Sequence, residues 1–230
     1  MLDVAIRKPD GSTAVDWQHV GVRTAPPLPV APALHTILPD GLRRGSTVSV
    51  AGSMSLLLAL LGAASADGAW AALVGFPRIS AEAAREYGID LARLALVPDP
   101  GLVQGGWTTA VGALLDAVDI VAARPPRGRG VVPGDVRRLA ARARSKDAVL
   151  MPYVLDPAGW PGADVRLQAV GGEWTGIGAG TGRLRARRVE VTAGGRGPAA
   201  RSRSASLWLP APGGGIDEAT PLAPVIDLAG

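Results

Sequence analysis

Short apolar segments alternate with longer segments of helical pattern along roughly the first two thirds of the chain. The apolar segments have the length of strands and lack polar alternation, which is typical of a parallel sheet covered on both faces. The segments between them have the composition or the apolar spacing of helices. The predicted strands are 46–51, 70–75, 94–98, 118–123 and 148–153, and the predicted helices are 54–66, 79–87, 106–117 and 133–145.

After residue 163 the pattern changes to hairpin-like strands separated by glycine-rich turns. These strands are predicted at 164–170, 183–192 and 204–209. The expected fold is therefore α/β, with a mostly parallel central sheet flanked by helices and a C-terminal antiparallel β extension. The predicted divisions are a partly flexible N-terminal extension (1–32), one main domain (33–210) and a flexible C-terminal tail (211–230).

Composition limits the classes of function. The 230 residues, 47% of them hydrophobic, can bury one sizeable core, and the absence of cysteine excludes disulfides and thiolate metal sites. The formal net charge of +4 suits nucleic acid or an acidic partner, although an arginine bias from a GC-rich genome would give the same charge. The longest apolar run, 56–64, is too short to span a bilayer, and no signal peptide is visible. We expect a cytoplasmic protein without a membrane partner.

The segment around Gly52 has the setting of a phosphate-binding loop without its chemistry. A predicted strand ends at this glycine and a predicted helix follows it, as in the pattern G-x-x-x-x-G-K-[ST]. Counted from Gly52, the lysine position is Leu58 and the hydroxyl position is Ala59. Only Ser53 and Ser55 supply polar side chains. Because the cation and the Mg²⁺ ligand are missing, we expect no nucleotide cofactor and no metal here.

The order of elements resembles the RecA family. The likeness is carried by residues 38–52 (LPDGLRRGSTVSVAG), 81–96 (AEAAREYGIDLARLAL) and 117–121 (AVDIV). The resemblance implies a RecA-like core over about residues 33–209. It also implies that four positions that serve ATP hydrolysis in RecA have lost their function. The lysine falls on Leu58, the catalytic glutamate on Phe76 or a close neighbour, the Walker B aspartate on Arg124 and the glutamine on Tyr153. We therefore expect a protein that is not an ATPase.

Within this superfamily the chain resembles the actinobacterial ImuA′ family. The matching segments are GAWAALVGFP at 68–77, VPDPG at 97–101, RRLAARAR at 137–144, GTGRLRARRV at 180–189 and LWLP at 207–210. The resemblance implies a nucleoid-associated accessory of SOS-induced mutagenic translesion synthesis. It would bind ImuB through the ImuB C-terminal region and, through ImuB, an error-prone DnaE-type polymerase and the sliding clamp. RecA and the DNA backbone are further candidate partners. Two alternatives are a SulA-like cell-division inhibitor and a basic DNA-binding accessory protein.

Candidate partner-binding residues fall into three groups. In RecA, the N-terminal segment of one subunit packs onto the core of the next. By that resemblance the receiving surface would lie around 70–75 and 79–87, with Arg85 and Glu86 as exposed positions. Tryptophan is favoured at binding hot spots, which makes Trp107 a candidate anchor, with packing of its helix against the sheet as the alternative. Trp160 and Trp174 are candidates if they are exposed, whereas Trp70 is expected in the core.

The third group is a row of arginines. Arg183, Arg185 and Arg187 alternate along a predicted strand and would share one face, where like charges require an anionic partner. That partner is either an acidic protein segment or DNA phosphate. A second arginine set, on the predicted helix 133–145, is typical of a solvated helix face. His19 and His35, the two histidines, have no ligand spacing that would indicate a metal site.

Overall fold

The computed structural model describes residues 25–102, 106–126, 131–178 and 181–219. Its strands and helices follow the predicted order closely. The core strands are β1 (Val48–Ala51), β2 (Ala71–Val74), β3 (Leu94–Val97), β4 (Ile120–Ala123) and β5 (Val149–Val154). The helices are α1 (Met54–Ala66), α2 (Ala81–Glu86), α3 (Gly106–Leu115) and α4 (Pro133–Ser145). The C-terminal strands are β6 (Val165–Gly178), β7 (Thr181–Gly195), β8 (Arg203–Trp208) and β9 (Asp217–Glu218).

All nine strands of the described ranges belong to one sheet, in the order β3-β2-β4-β5-β1-β6-β7-β8-β9. Pairing is parallel from β3 to β6 and antiparallel from β6 to β9. Strand β6 joins the two halves, because its first residues pair with β1 and most of its length pairs with β7. The predicted α/β core with an antiparallel extension is confirmed.

Two apolar clusters cover the two faces of the sheet. One contains α1 and α2 together with residues between Leu28 and Leu42, and the other contains α3 and α4. Helix α1 is apolar on every side because it lies between the sheet and this N-terminal segment. Its residues Leu56, Leu57, Leu60 and Leu61 are completely buried. Ser53 caps the helix by accepting a hydrogen bond from the backbone N–H of Leu56.

Both predicted domain boundaries differ from the structure. Leu28 and Val30, assigned to the N-terminal extension, are buried in the core, and Leu28 forms a β-bridge with Leu42. Residues 211–219, assigned to a flexible tail, contain β9, which pairs with β8. The composition of these segments suggested mobility, but their few apolar side chains are enough to fix them. Residues 1–24, which include His19, and residues 220–230 lie outside the described ranges.

Candidate functional site

The strand, glycine and helix around Gly52 have the expected geometry. Gly52 has φ +71° and donates its N–H to the carbonyl of Val154 at 3.0 Å, so the chain turns sharply between β1 and α1. Leu58 and Ala59 are buried under the sheet with 2% and 1% exposure. Neither side chain reaches the loop, and the Ser53 hydroxyl is used in capping the helix. The structure therefore buries apolar side chains at the two positions that a phosphate-binding loop gives to its lysine and its hydroxyl.

An aromatic cluster occupies the edge of the sheet at which β2, β4 and β5 end. The rings of Phe76 and Tyr153 meet edge to face with centroids 5.7 Å apart, and the Arg124 guanidinium lies 5.8 Å from the Tyr153 ring centroid. Burial raises the pKa of Tyr153 above its usual value, and the charge of Arg124 offsets part of that rise. Phe76 and Arg124 thus both lie beside Tyr153, so three of the four positions that the sequence analysis matched to RecA by resemblance are close together. A cavity of about 320 Å³ beside them is lined by Met54, Phe76, Pro77, Arg78 and Arg124.

Three of the tryptophan predictions need correction. Trp107 and Trp160 are only 6% and 1% exposed and contact each other edge to face, with ring centroids 6.1 Å apart. They fill the core between α3 and the loop after β5, so neither can anchor a partner. Trp70, predicted in the core, is 45% exposed because it precedes β2. Trp174, on β6, is 46% exposed and is therefore accessible to a partner.

Beyond their pairing with the rest of the sheet, β6 and β7 continue as a two-stranded projection. Strand β1 pairs with β6 only as far as Gln168, and β8 pairs with β7 only from Arg188 onward. We call residues 170–178 and 181–187 the β-arm. Large apolar side chains are exposed along it: Val170, Trp174, Ile177 and Leu184. Apart from Arg187, whose backbone exchanges hydrogen bonds with Leu209 and Pro210, no described strand pairs with the outer edges of this hairpin. A hairpin with open edges and exposed apolar side chains is typical of an interaction site.

The arginines of the β-arm do not alternate on one face as predicted. Between the pairs Thr175–Ala186 and Ile177–Gly182 the register shifts, so that residues 183–185 lie opposite Gly176. This irregularity interrupts the two-residue period on which the prediction depended. Arg183 and Arg185 line an open groove, as does Leu184 between them.

Arg187 has a different environment. Its Nη2 donates a hydrogen bond to the carbonyl of Gly171 at 2.6 Å, and its guanidinium lies 5.9 Å from the centroid of Trp174. The bulge at Gly171 and Gly172 makes room for this side chain, because a Cβ on Gly172 would overlap with the guanidinium. Arg187 therefore packs within the β-arm and is less available to a partner than Arg183 or Arg185.

The groove lies between the β-arm and α2 and has a volume of about 750 Å³. We call it the arm–helix groove. Glu82 and Glu86 form the α2 wall, Trp174, Arg183, Leu184 and Arg185 form the arm wall, and the segment 210–214 completes it. The structure thus brings together Glu86 and the arginine strand, which the sequence analysis treated as separate surfaces. Arg85 is exposed but does not line the groove.

The sequence analysis did not identify the segment 210–214 as part of the arm–helix groove. Its backbone is fixed by hydrogen bonds from Ala211 N–H to Gly215 O and from Gly214 N–H to Ala211 O, at 3.0 and 2.9 Å. The sequence PAPGG signals a turn, but it does not reveal that this turn packs against Glu86 of α2.

Two of the four arginines of α4 form local ion pairs. Arg142 donates two hydrogen bonds to Asp116, and Arg138 lies 3.4 Å from Asp135. The bond from Arg142 lowers the pKa of Asp116 below its usual value. This face is the solvated helix surface that the sequence indicated.

Among the residues that the structure describes, no three His, Asp or Glu side chains form a group that could hold a metal ion. Across the same residues, no helix has both the length and the apolar character needed to cross a membrane.

Comparison with known proteins finds a family that matches this chain. The family model described as the MT3502 N-terminal domain matches residues 36–162, more than half of the chain. The chain belongs to this family. An uncharacterized protein of Mycobacterium tuberculosis, Rv3395c, is 37% identical over 131 residues, a match that covers 57% of this chain and 61% of that protein. The chain therefore matches less than two thirds of that relative's length.

The fold extends further than the family match. A crystal structure of the RadB recombinase superposes with a TM-score of 0.57 at 13% sequence identity, covering 82% of this chain and 97% of that one. At this identity the match shows the fold alone, and it supports the RecA-like core. The MT3502 N-terminal domain match ends at residue 162, before β6, so the β-arm lies outside it.

Proposed function

We propose that the protein is a non-catalytic, RecA-like accessory of SOS-induced mutagenic translesion synthesis that binds ImuB. One observation supports the non-catalytic role above all: Phe76, Arg124 and Tyr153 pack together at the edge where a RecA-type ATPase would handle nucleotide. A fold that is retained without its reaction can still serve as a binding surface. The partner is suggested by the resemblance of segments such as 68–77 and 180–189 to ImuA′.

The arm–helix groove is the surface we assign to ImuB. It presents carboxylates on one wall, and guanidinium groups together with the apolar side chains Trp174 and Leu184 on the other. Such a surface suits an amphipathic protein segment, since apolar contacts supply affinity and the flanking charges fix the orientation. Through ImuB the protein would support the DnaE-type polymerase at the sliding clamp, in the cytoplasm and near the nucleoid.

The protein is expected neither to bind ATP tightly nor to hydrolyse it. Leu58 stands at the position that a phosphate-binding loop gives to its lysine, and the positive Arg124 at the position matched to the Walker B aspartate would repel Mg²⁺. Calorimetric titration with Mg-ATP should give no micromolar binding, and steady-state assays should give no turnover. Micromolar affinity, or Mg²⁺-dependent turnover lost in Ser53→Ala or Ser55→Ala, would refute the proposal.

Substitutions on α2 test the groove. Glu86→Arg should weaken ImuB binding at least tenfold, because it places a cation opposite Arg183 and Arg185 and removes a carboxylate from the wall. Arg85→Glu is the matched control: its side chain is also exposed on α2 but lies outside the groove, so a smaller change is expected. Affinity is measured by calorimetry with purified ImuB, and circular dichroism checks the fold. Equal affinities for both variants and the wild type would argue against this surface.

A further inference from the structure

A second, smaller cavity lies at the opposite edge of the sheet, where β1 and β6 begin. Apolar side chains from the turn at 37–43 and from the sheet line it, and its volume is about 130 Å³. These residues include Ile37, Leu38, Val48, Val165 and Ala193. An apolar cavity of about 150 Å³ in a protein core accommodates benzene. The cavity therefore has room for one ring or one branched aliphatic group.

Four arginines line this cavity. They are Arg43 on the turn before β1, Arg196 and Arg201 on either side of the 3-10 turn Gly197–Ala200, and Arg203 at the start of β8. Two carboxylates, Asp40 and Asp164, also line it. The positive groups therefore outnumber the negative groups by two.

The hydrogen bonds show which of these groups are engaged. Asp164 accepts the backbone N–H of Thr47 at 2.9 Å, and Arg196 donates to the carbonyl of Gly162. Within the described residues, no carboxylate lies within ion-pair distance of Arg43, Arg201 or Arg203. Three guanidinium groups thus face an apolar cavity without a protein counter-ion in the described ranges. Beside a low-dielectric surface such groups attract an anion more strongly than they do in open water.

We propose that this cavity binds a small carboxylate ligand with an apolar body of about the size of one ring. The apolar body would fill the space beside Val165 and Ala199, and the carboxylate would pair with Arg201 and Arg203. The planar guanidinium matches the two oxygens of a carboxylate, which favours this anion over a point-like one. The ligand is a free carboxylic acid or an apolar residue at the carboxyl terminus of a peptide. This site is separate from the arm–helix groove, and the inference does not depend on ImuB binding.

Phenylacetate is the probe for this chemistry, used with the full chain and followed by ¹H–¹⁵N NMR. We expect saturable binding that shifts the amide signals of residues around the cavity. Phenylacetamide, which keeps the ring but lacks the charge, and acetate, which lacks the ring, should each bind at least tenfold more weakly. An affinity for phenylacetamide or for acetate equal to that for phenylacetate, or no saturable shift with phenylacetate, would overturn the proposal.

Variants separate the site from general attraction between an anion and a basic protein. Arg203→Gln should reduce phenylacetate affinity at least fivefold, and Ala199→Phe should abolish binding by filling the cavity. Arg166→Gln is the control, because this exposed arginine on β6 does not line the cavity. Loss of affinity in the control equal to that in Arg203→Gln would contradict a specific site. So would unchanged binding in a folded Ala199→Phe variant.

The two sources of the carboxylate are distinguished with a peptide. Acetyl-Gly-Gly-Phe with a free carboxyl terminus is compared with the same peptide as an amide. If the peptide with a free carboxyl terminus displaces phenylacetate and the amidated peptide does not, the ligand class is a peptide carboxyl terminus. If only phenylacetate binds, the site takes a free acid.

Discussion

Replacement of Gly62 by alanine is expected to destabilise the protein by about 3 kcal/mol, although the same change stabilises most helices. Gly62 lies within α1 where this helix crosses the end of α2. A Cβ at this position would overlap with the carbonyl oxygen of Tyr87 and lie 3.0 Å from its carbonyl carbon. These are backbone atoms, so no change of rotamer can relieve the overlap. Either α2 moves away from α1, or the core between them opens.

Gly134→Ala is the matched comparison. Gly134 lies in the first turn of α4, and a Cβ there would meet no atom within 4 Å. This variant should gain up to about 1 kcal/mol from helix propensity. Urea unfolding followed by circular dichroism measures both free energies of unfolding. A Gly62→Ala protein as stable as the wild type would show that α1 and α2 do not approach as closely as the structure indicates.

Gly62 shows what the sequence could and could not predict about the fold. The order of strands and helices followed from apolar runs and spacing, because local pattern determines each element. The sequence also placed Phe76, Arg124 and Tyr153 at strand ends, and parallel strands bring such ends to one edge. It did not show that a glycine inside a helix permits contact with the turn after α2. Close backbone approach between distant segments leaves no periodic signal.

For a similar reason, the sequence identified residues of both walls of the arm–helix groove but not that the two walls face each other. Glu86 and the arginine strand were each identified, but they are about 100 residues apart in sequence. These residues come together because β6 and β7 extend beyond the rest of the sheet. The alternation of apolar and polar residues did not predict how far these two strands extend. The register shift opposite Gly176 is another long-range feature, and it removed the predicted alternation of Arg183, Arg185 and Arg187. The bulge at Gly171 and Gly172, also a long-range feature, gave Arg187 its place within the β-arm. Trp107 and Trp160 were misassigned because residue type alone cannot separate a hot-spot tryptophan from a core tryptophan.

Reversal of charge at both groove arginines, Arg183→Glu with Arg185→Glu, is expected to weaken ImuB binding at least 100-fold. Each substitution removes a guanidinium from the arm wall and adds a carboxylate that faces Glu82 and Glu86 across the groove. A tenfold loss for each corresponds to about 1.4 kcal/mol, within the range measured for charged contacts at interfaces. Arg187 is left unchanged because its side chain bonds to the carbonyl of Gly171 within the β-arm. If it were replaced, a loss of affinity could result from a disturbed β-arm instead of a lost contact with ImuB.

The matched control is Arg137→Glu with Arg144→Glu, which makes the same change in net charge on the exposed face of α4. Both double variants are titrated with purified ImuB and with labelled single-stranded DNA at several salt concentrations. If the groove arginines contact ImuB, the groove variant alone loses ImuB, and DNA binding does not distinguish the two variants. If they contact phosphates instead, ImuB affinity is unchanged. The slope of log affinity against log salt for DNA then falls by about 1.4, since each phosphate contact with a single strand contributes about 0.7. We expect the first result for two reasons. The loop after β5, which would carry further DNA contacts, is short. Single-stranded DNA is bound by stacking of its bases on aromatic side chains, and among the described residues that line the groove only Trp174 is an exposed tryptophan.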